Sequence, residues 1–93
     1  MTKKRSRVAI ILEVLELLER EGGEVLATRL ATAAGLAYDR MINLLEDLEK
    51  RGVLYVETSG RNKLIKLSPK GYHLLNSLRS LRDLIRDLGI DIE

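Results

Sequence analysis

Cysteine, tryptophan and phenylalanine are absent from the 93 residues, and proline and histidine occur once each, as Pro69 and His73. Without cysteine there are no disulfides, no thiolate metal ligands and no cysteine nucleophile. A single histidine with no His or Cys beside it does not make a metal site, so His73 is read as a structural or exposed side chain. Long apolar runs are missing too. Near the N-terminus the longest is Val8 to Leu12, far short of the roughly 20 residues needed to span a bilayer and of the core of a secretory leader. No membrane is expected as a partner, and the expected location is cytoplasmic. An enzyme would need a nucleophile with a base, a metal cluster or a phosphate cradle. Gly22-Gly23 and Gly60 form no phosphate-binding fingerprint. No enzyme, no cofactor, no metal and no small-molecule ligand are expected.

What is present is hydrophobic at 45 % and charged at 32 %, enough for one compact domain and too little for two. High charge without Phe or Trp suits the ion-pair-rich surface of a thermophile protein. The net charge is only +2, but its distribution matters more than the sum for a polyanionic partner. Lys3, Lys4, Arg5 and Arg7 stand in the first seven residues with no acid, whereas residues 8–34 carry five glutamates against Arg20 and Arg29. Residues 57–70 return to positive with Arg61, Lys63, Lys66 and Lys70 against Glu57. Residues 1–7 are read as a basic, flexible arm.

Apolar spacing then divides the chain. Val8, Ile11, Leu12, Leu15 and Leu18 recur at helical intervals from Arg7 to Glu21, and Gly22-Gly23 stops the run. A second stripe, Ile10, Val14 and Leu17, lies on another face and predicts contact with something further. Glu24 to Leu26 is a short extended segment, and Ala27 to Ala34 a brief helix ended by Gly35. Tyr38 to Arg51 is helical, with Met41, Leu45 and Leu48 on its buried face. Two helices joined by a tight glycine turn are a helix-turn-helix candidate. Val53 to Thr58 and Lys63 to Leu67 form a β-hairpin around the basic tip Ser59 to Asn62. Ser68-Pro69 starts a last helix, with Ser68 as cap and Pro69 at the first helical position. In that helix Leu74, Leu78, Leu81, Ile85 and Leu88 alternate by four and three, a coiled-coil seam.

The fold class is therefore mainly α with some β. It runs helix, short strand, helix, helix, hairpin, long C-terminal helix. The runs Leu30-Ala31, Ala34-Gly35-Leu36, Tyr38-Asp39-Arg40-Met41 and Leu48-Glu49-Lys50-Arg51-Gly52-Val53 resemble the core of winged-helix regulators. Leu67-Ser68-Pro69-Lys70-Gly71 with Leu74-Leu75 is similar to the start of their last helix. The pattern, which spans residues 8 to 88, is most similar to small archaeal winged-helix proteins. Those include transcription regulators and chromatin-type proteins that dimerise through a C-terminal antiparallel coiled coil.

The resemblance implies a winged helix-turn-helix domain over 8–68 and a dimerisation helix over 69–93. It implies a homodimeric, nucleoid-associated transcription regulator that binds double-stranded DNA. An architectural DNA-binding protein and a protein-interaction module are the alternatives. On the third helix Tyr38, Asp39, Arg40, Ile42 and Asn43 are the expected groove-facing residues, with Arg40 suited to guanine or phosphate, Asn43 to adenine and Ile42 to a thymine methyl. Thr28 and Arg29, at the start of the second helix, are expected at a phosphate. Arg61, Asn62 and Lys63 on the wing, and Lys3, Lys4 and Arg5 on the arm, are expected to add electrostatic affinity. Ile10, Val14, Leu17, Leu74, Leu78, Leu81, Ile85 and Leu88 are expected at the dimer interface.

Overall fold

The computed structural model describes residues 6–90. Its elements follow the expected order: α1 (Arg7–Arg20), β1 (Glu24–Leu26), α2 (Ala27–Ala34), α3 (Tyr38–Lys50), β2 (Leu54–Ser59), β3 (Asn62–Leu67) and α4 (Pro69–Asp87). Ser6 starts α1 by accepting the Ala9 N–H at 3.1 Å. Gly35 ends α2 at φ +68, and Leu36 N–H then reaches the Ala31 carbonyl at 3.0 Å. A left-handed residue there turns the chain sharply between α2 and α3.

The sheet has strand order β1-β3-β2, antiparallel throughout. Val25, Ile65 and Val56 are in register on the inner face, and Glu24, Lys66 and Tyr55 on the outer. Gly60 and Arg61 alone connect β2 to β3, with positive φ only at Gly60. That is the pattern of a Gly-first type II′ hairpin turn, whose twist matches that of the strands.

Leu15 and Leu18, Leu30, Met41 and Leu45, Leu54, Ile65 and Leu75 are all fully enclosed. Each helix and both wing strands thus supply side chains to one core. Every such leucine contributes about 1.5–3 kcal/mol of burial free energy.

The residues that begin α4 also lock it in place. Buried Ser68 accepts the Gly71 N–H at 3.0 Å, and its hydroxyl lies 2.6 Å from the Gly52 carbonyl and 2.8 Å from that of Val53, either of which its one proton can reach. Lys70 Nζ donates to the Arg51 carbonyl at 2.8 Å, holding the end of α3. Gly71 packs directly on the Val53 carbonyl.

Three expectations change. Val14 is 1 % exposed, in the chain's own core, and Ile10 and Leu17 are half-buried against that core. Most of the second stripe of α1 therefore packs on its own domain: Val14 and Leu17 line a crevice with Leu30, Ala33 and Ala34 of α2. Leu74 and Leu78 also pack against the core, beside fully buried Leu75, so the first half of α4 belongs to the domain. Arg79 bridges Glu16 at 3.3 Å and Glu19 at 2.6 Å, and Arg82 meets Glu16 at 3.3 Å, fastening α4 along α1. Arg7, assigned to the arm, is the first residue of α1.

Candidate nucleic-acid interface

The core fixes which face of α3 is free. Met41, Leu44, Leu45 and Leu48 are buried. A helix advances by about 100° per residue, so the opposite line is Asp39, Asn43, Glu46 and Lys50, all exposed. Asp39 and Asn43 were expected there; Glu46 and Lys50 were not. Tyr38 is exposed at the first residue of the helix. Arg40 is exposed but sits on the flank towards α1, where it lines a groove of about 500 Å³ with Arg7, Ile10, Leu36, Asn43 and Leu44. Ile42 does not reach the outward line. It is half-buried against the core on the opposite flank, the one Glu49 ties to β2 by accepting the Val56 N–H at 3.0 Å.

On the α1 flank, Asp47 receives Arg7 at 2.7 Å and Arg51 at 3.3 Å. The Arg7 hydrogen bond holds its carboxyl below the ordinary value of 3.8; partial burial opposes this and Arg51 assists. A depressed carboxylate contributes stability that is full above its unfolded value and lost as pH falls through its folded value. The melting-temperature gap between wild type and Asp47→Asn should therefore be present at neutral pH and close as pH drops below 3.8. Parallel melts across acid pH would show a constant gap if the pairing were idle.

Helix starts differ in how they are capped. α1 and α4 have serine caps, whereas α2 and α3 begin after Leu26 and Ala37 with no side-chain cap. α3 carries Asp39 in its first turn, which complements its own dipole. α2 carries no acid there, and Thr28 is exposed beside its open N–H groups. Such an end suits an anion. Arg29, expected to join it, is held by Glu21 at 2.5 Å.

At the hairpin tip Arg61 and Asn62 are exposed and Lys63 is half-buried. Arg40, Arg61 and Lys63 have no ion-pair partner among the described residues, whereas Lys66 pairs with Glu57 at 3.0 Å. Lys3, Lys4 and Arg5 lie outside the described residues. Cations thus stand on both sides of the α3 outward line, at Arg40 and at the wing.

The distal half of α4 is open. Leu81, Leu84 and Leu88 are 48 %, 63 % and 75 % exposed, and Ile90 is exposed beyond them. Ile85 is half-buried. The open stripe therefore runs through Leu84, which the four-three spacing from Leu74 passes over. Among the described residues no group of side chains could hold a metal ion, and no helix is long and apolar enough to cross a membrane.

No curated protein sequence matches the chain. Several solved structures share its fold. It is similar to Sso10a-2, a DNA-binding protein from Sulfolobus solfataricus, at 24 % identity over 90 % of this chain and 85 % of that one, with a TM-score of 0.79. It is similar to AF1382 from Archaeoglobus fulgidus at 20 % identity over 88 % and 90 %, with a TM-score of 0.74. MepR, a transcription regulator of the Staphylococcus aureus multidrug efflux pump MepA, gives 23 % identity, with 85 % of this chain on 60 % of that one and a TM-score of 0.72. The family described as winged helix-turn-helix matches residues 4–86. By that match, and by its helix-turn-helix and antiparallel wing, this chain belongs to the winged helix-turn-helix family.

Proposed function

We propose that the protein binds double-stranded DNA as a homodimer and acts in the cytoplasm, at the nucleoid, as a transcription regulator. The observation that carries the reading is the exposed face of α3 with unpaired cations on both sides, Arg40 on one and Arg61 and Lys63 on the other. A helix of this width fits the major groove, and cations beside it meet phosphates, which position the protein without reading sequence. Thr28 and the open start of α2 supply a further phosphate contact. Arg40, from its flank, serves a phosphate better than a base. Sso10a-2 and MepR, a DNA-binding protein and a transcription regulator, have the same fold.

In this reading the second copy packs on α4. Leu81, Leu84 and Leu88 are apolar, exposed and spaced by three and four, as a two-helix seam requires. Replacing Leu84 with Glu puts a charge in that seam without touching the core. Light scattering at micromolar concentration should then fall from twice the chain mass of 10.5 kDa to that mass. A wild type already at 10.5 kDa would remove the dimer.

Selection of bound duplexes from a random pool tests the regulator reading. An enriched palindrome is the expected result; binding without enrichment would mean an architectural protein instead.

A further inference from the structure

We propose that α3 selects its sites through carboxylates, with Glu46 and Asp39 each accepting a hydrogen bond from a cytosine amine in the major groove. The inference rests on the DNA-binding reading above and names the residues that give it specificity. The outward line of α3 is Asp39, Asn43, Glu46, Lys50. Its first three members are two acceptor-only groups and one amide; no cation precedes the last turn. Neither Asp39 nor Glu46 has an ion-pair partner among the described residues, so both carboxylates are available.

The flanks carry the opposite charge. Arg40 borders the groove shared with Arg7 on one side. On the other side Glu49 ties α3 to β2, and the strand leads to Arg61 and Lys63. A helix entering the major groove along this line offers cations to the phosphate walls and carboxylates to the base edges. The reverse arrangement would place carboxylates against phosphates.

Which base suits a carboxylate follows from hydrogen-bonding capacity. A carboxylate has no proton to give, so guanine N7 and O6 and thymine O4 repel it; the donors available are the amines of cytosine and adenine. Adenine pairs its amine with the N7 acceptor, a combination that an amide such as Asn43 matches with two bonds. Cytosine offers N4 as a donor alone, which matches a carboxylate. Asp39 and Glu46 are seven positions apart, about 10 Å along the helix axis. At about 3.4 Å per base pair they reach steps about three pairs apart. Over guanine or thymine the carboxylate loses water and gains no partner, and over adenine it gains the amine but meets the N7 acceptor beside it, so the same residues that select also reject.

The test is enrichment from a random duplex pool for wild type, Glu46→Gln and Asp39→Asn, with thermal melts confirming that all three fold. Wild type should enrich cytosine at two positions about three pairs apart in each half-site. Each variant should lose one of the two, and Glu46→Gln should bind unselected duplex about tenfold more tightly than wild type. Enrichment unchanged by either substitution would overturn the inference and leave DNA binding intact, as would wild-type binding with no enriched base. A wild type that binds no duplex at low salt would overturn the DNA-binding reading itself.

Discussion

Gly71→Ala is expected to lower the melting temperature by on the order of 10 °C, although alanine is the better helix former by about 1 kcal/mol. The backbone of Gly71 is ordinary for a helix, so its φ imposes no demand. Space does. A Cβ there would overlap the Val53 carbonyl oxygen and lie 2.5 Å from Leu67 Cδ1. The carbonyl belongs to backbone that already receives Ser68 N–H at 3.2 Å, so it cannot withdraw without losing that bond. Either α4 lifts from the domain, partly uncovering Leu75, or the end of α3 moves. Overpacking of this kind costs about 3 kcal/mol, which outweighs the gain in propensity. Asn76→Ala, exposed on the same helix, should change little and serves as the control. An unaltered melt for Gly71→Ala would mean that α4 is not seated on Val53 as described.

The second large effect is on DNA. Joint replacement of Arg61 and Lys63 by Ala removes the wing's unpaired cations and should weaken binding to every duplex alike. Each lost phosphate contact removes about 0.9 from the slope of log affinity against log salt. In a dimer the pair of substitutions deletes four contacts, so the slope should shrink by about 3.6. Selectivity should persist, because α3 is untouched. A change in preferred sequence with no change in slope would assign base reading to the wing.

Much of this was legible in the chain because local chemistry dictated it. Ser68-Pro69 marks a helix start wherever it stands before an apolar periodic run, and Gly35 marks the turn that joins α2 to α3. The run Leu67-Ser68-Pro69-Lys70-Gly71 was visible as a family resemblance, yet its reason is tertiary. Lys70 reaches the Arg51 carbonyl and Gly71 the Val53 carbonyl, both remote in sequence.

What spacing could not supply was the neighbour. Ile10, Val14 and Leu17 form an apolar face by periodicity, but periodicity is silent on whether α2 or another chain covers it. On α4 two frames fit equally from Leu74: Leu78-Leu81-Ile85-Leu88, and Ser77-Leu81-Leu84-Leu88. Ser77 disguised the second, and burial of Leu75 and Leu78 identifies the first as facing partly inward. Glu46 escaped notice for a similar reason. Burial of Leu44 with Met41, Leu45 and Leu48 turns the outward direction of α3 towards Glu46, which the last three of those residues alone leave at its edge.

The central claim is that cations beside α3 bind duplex phosphates, and a salt titration of wild-type affinity for a random duplex tests it most directly. Arg40, Arg61 and Lys63 on two protomers give six contacts, which predicts a loss of about a thousandfold between 50 and 200 mM salt. Affinity that stays level across that range, or no binding at the low end, would contradict the account and point to a protein as the partner of this face.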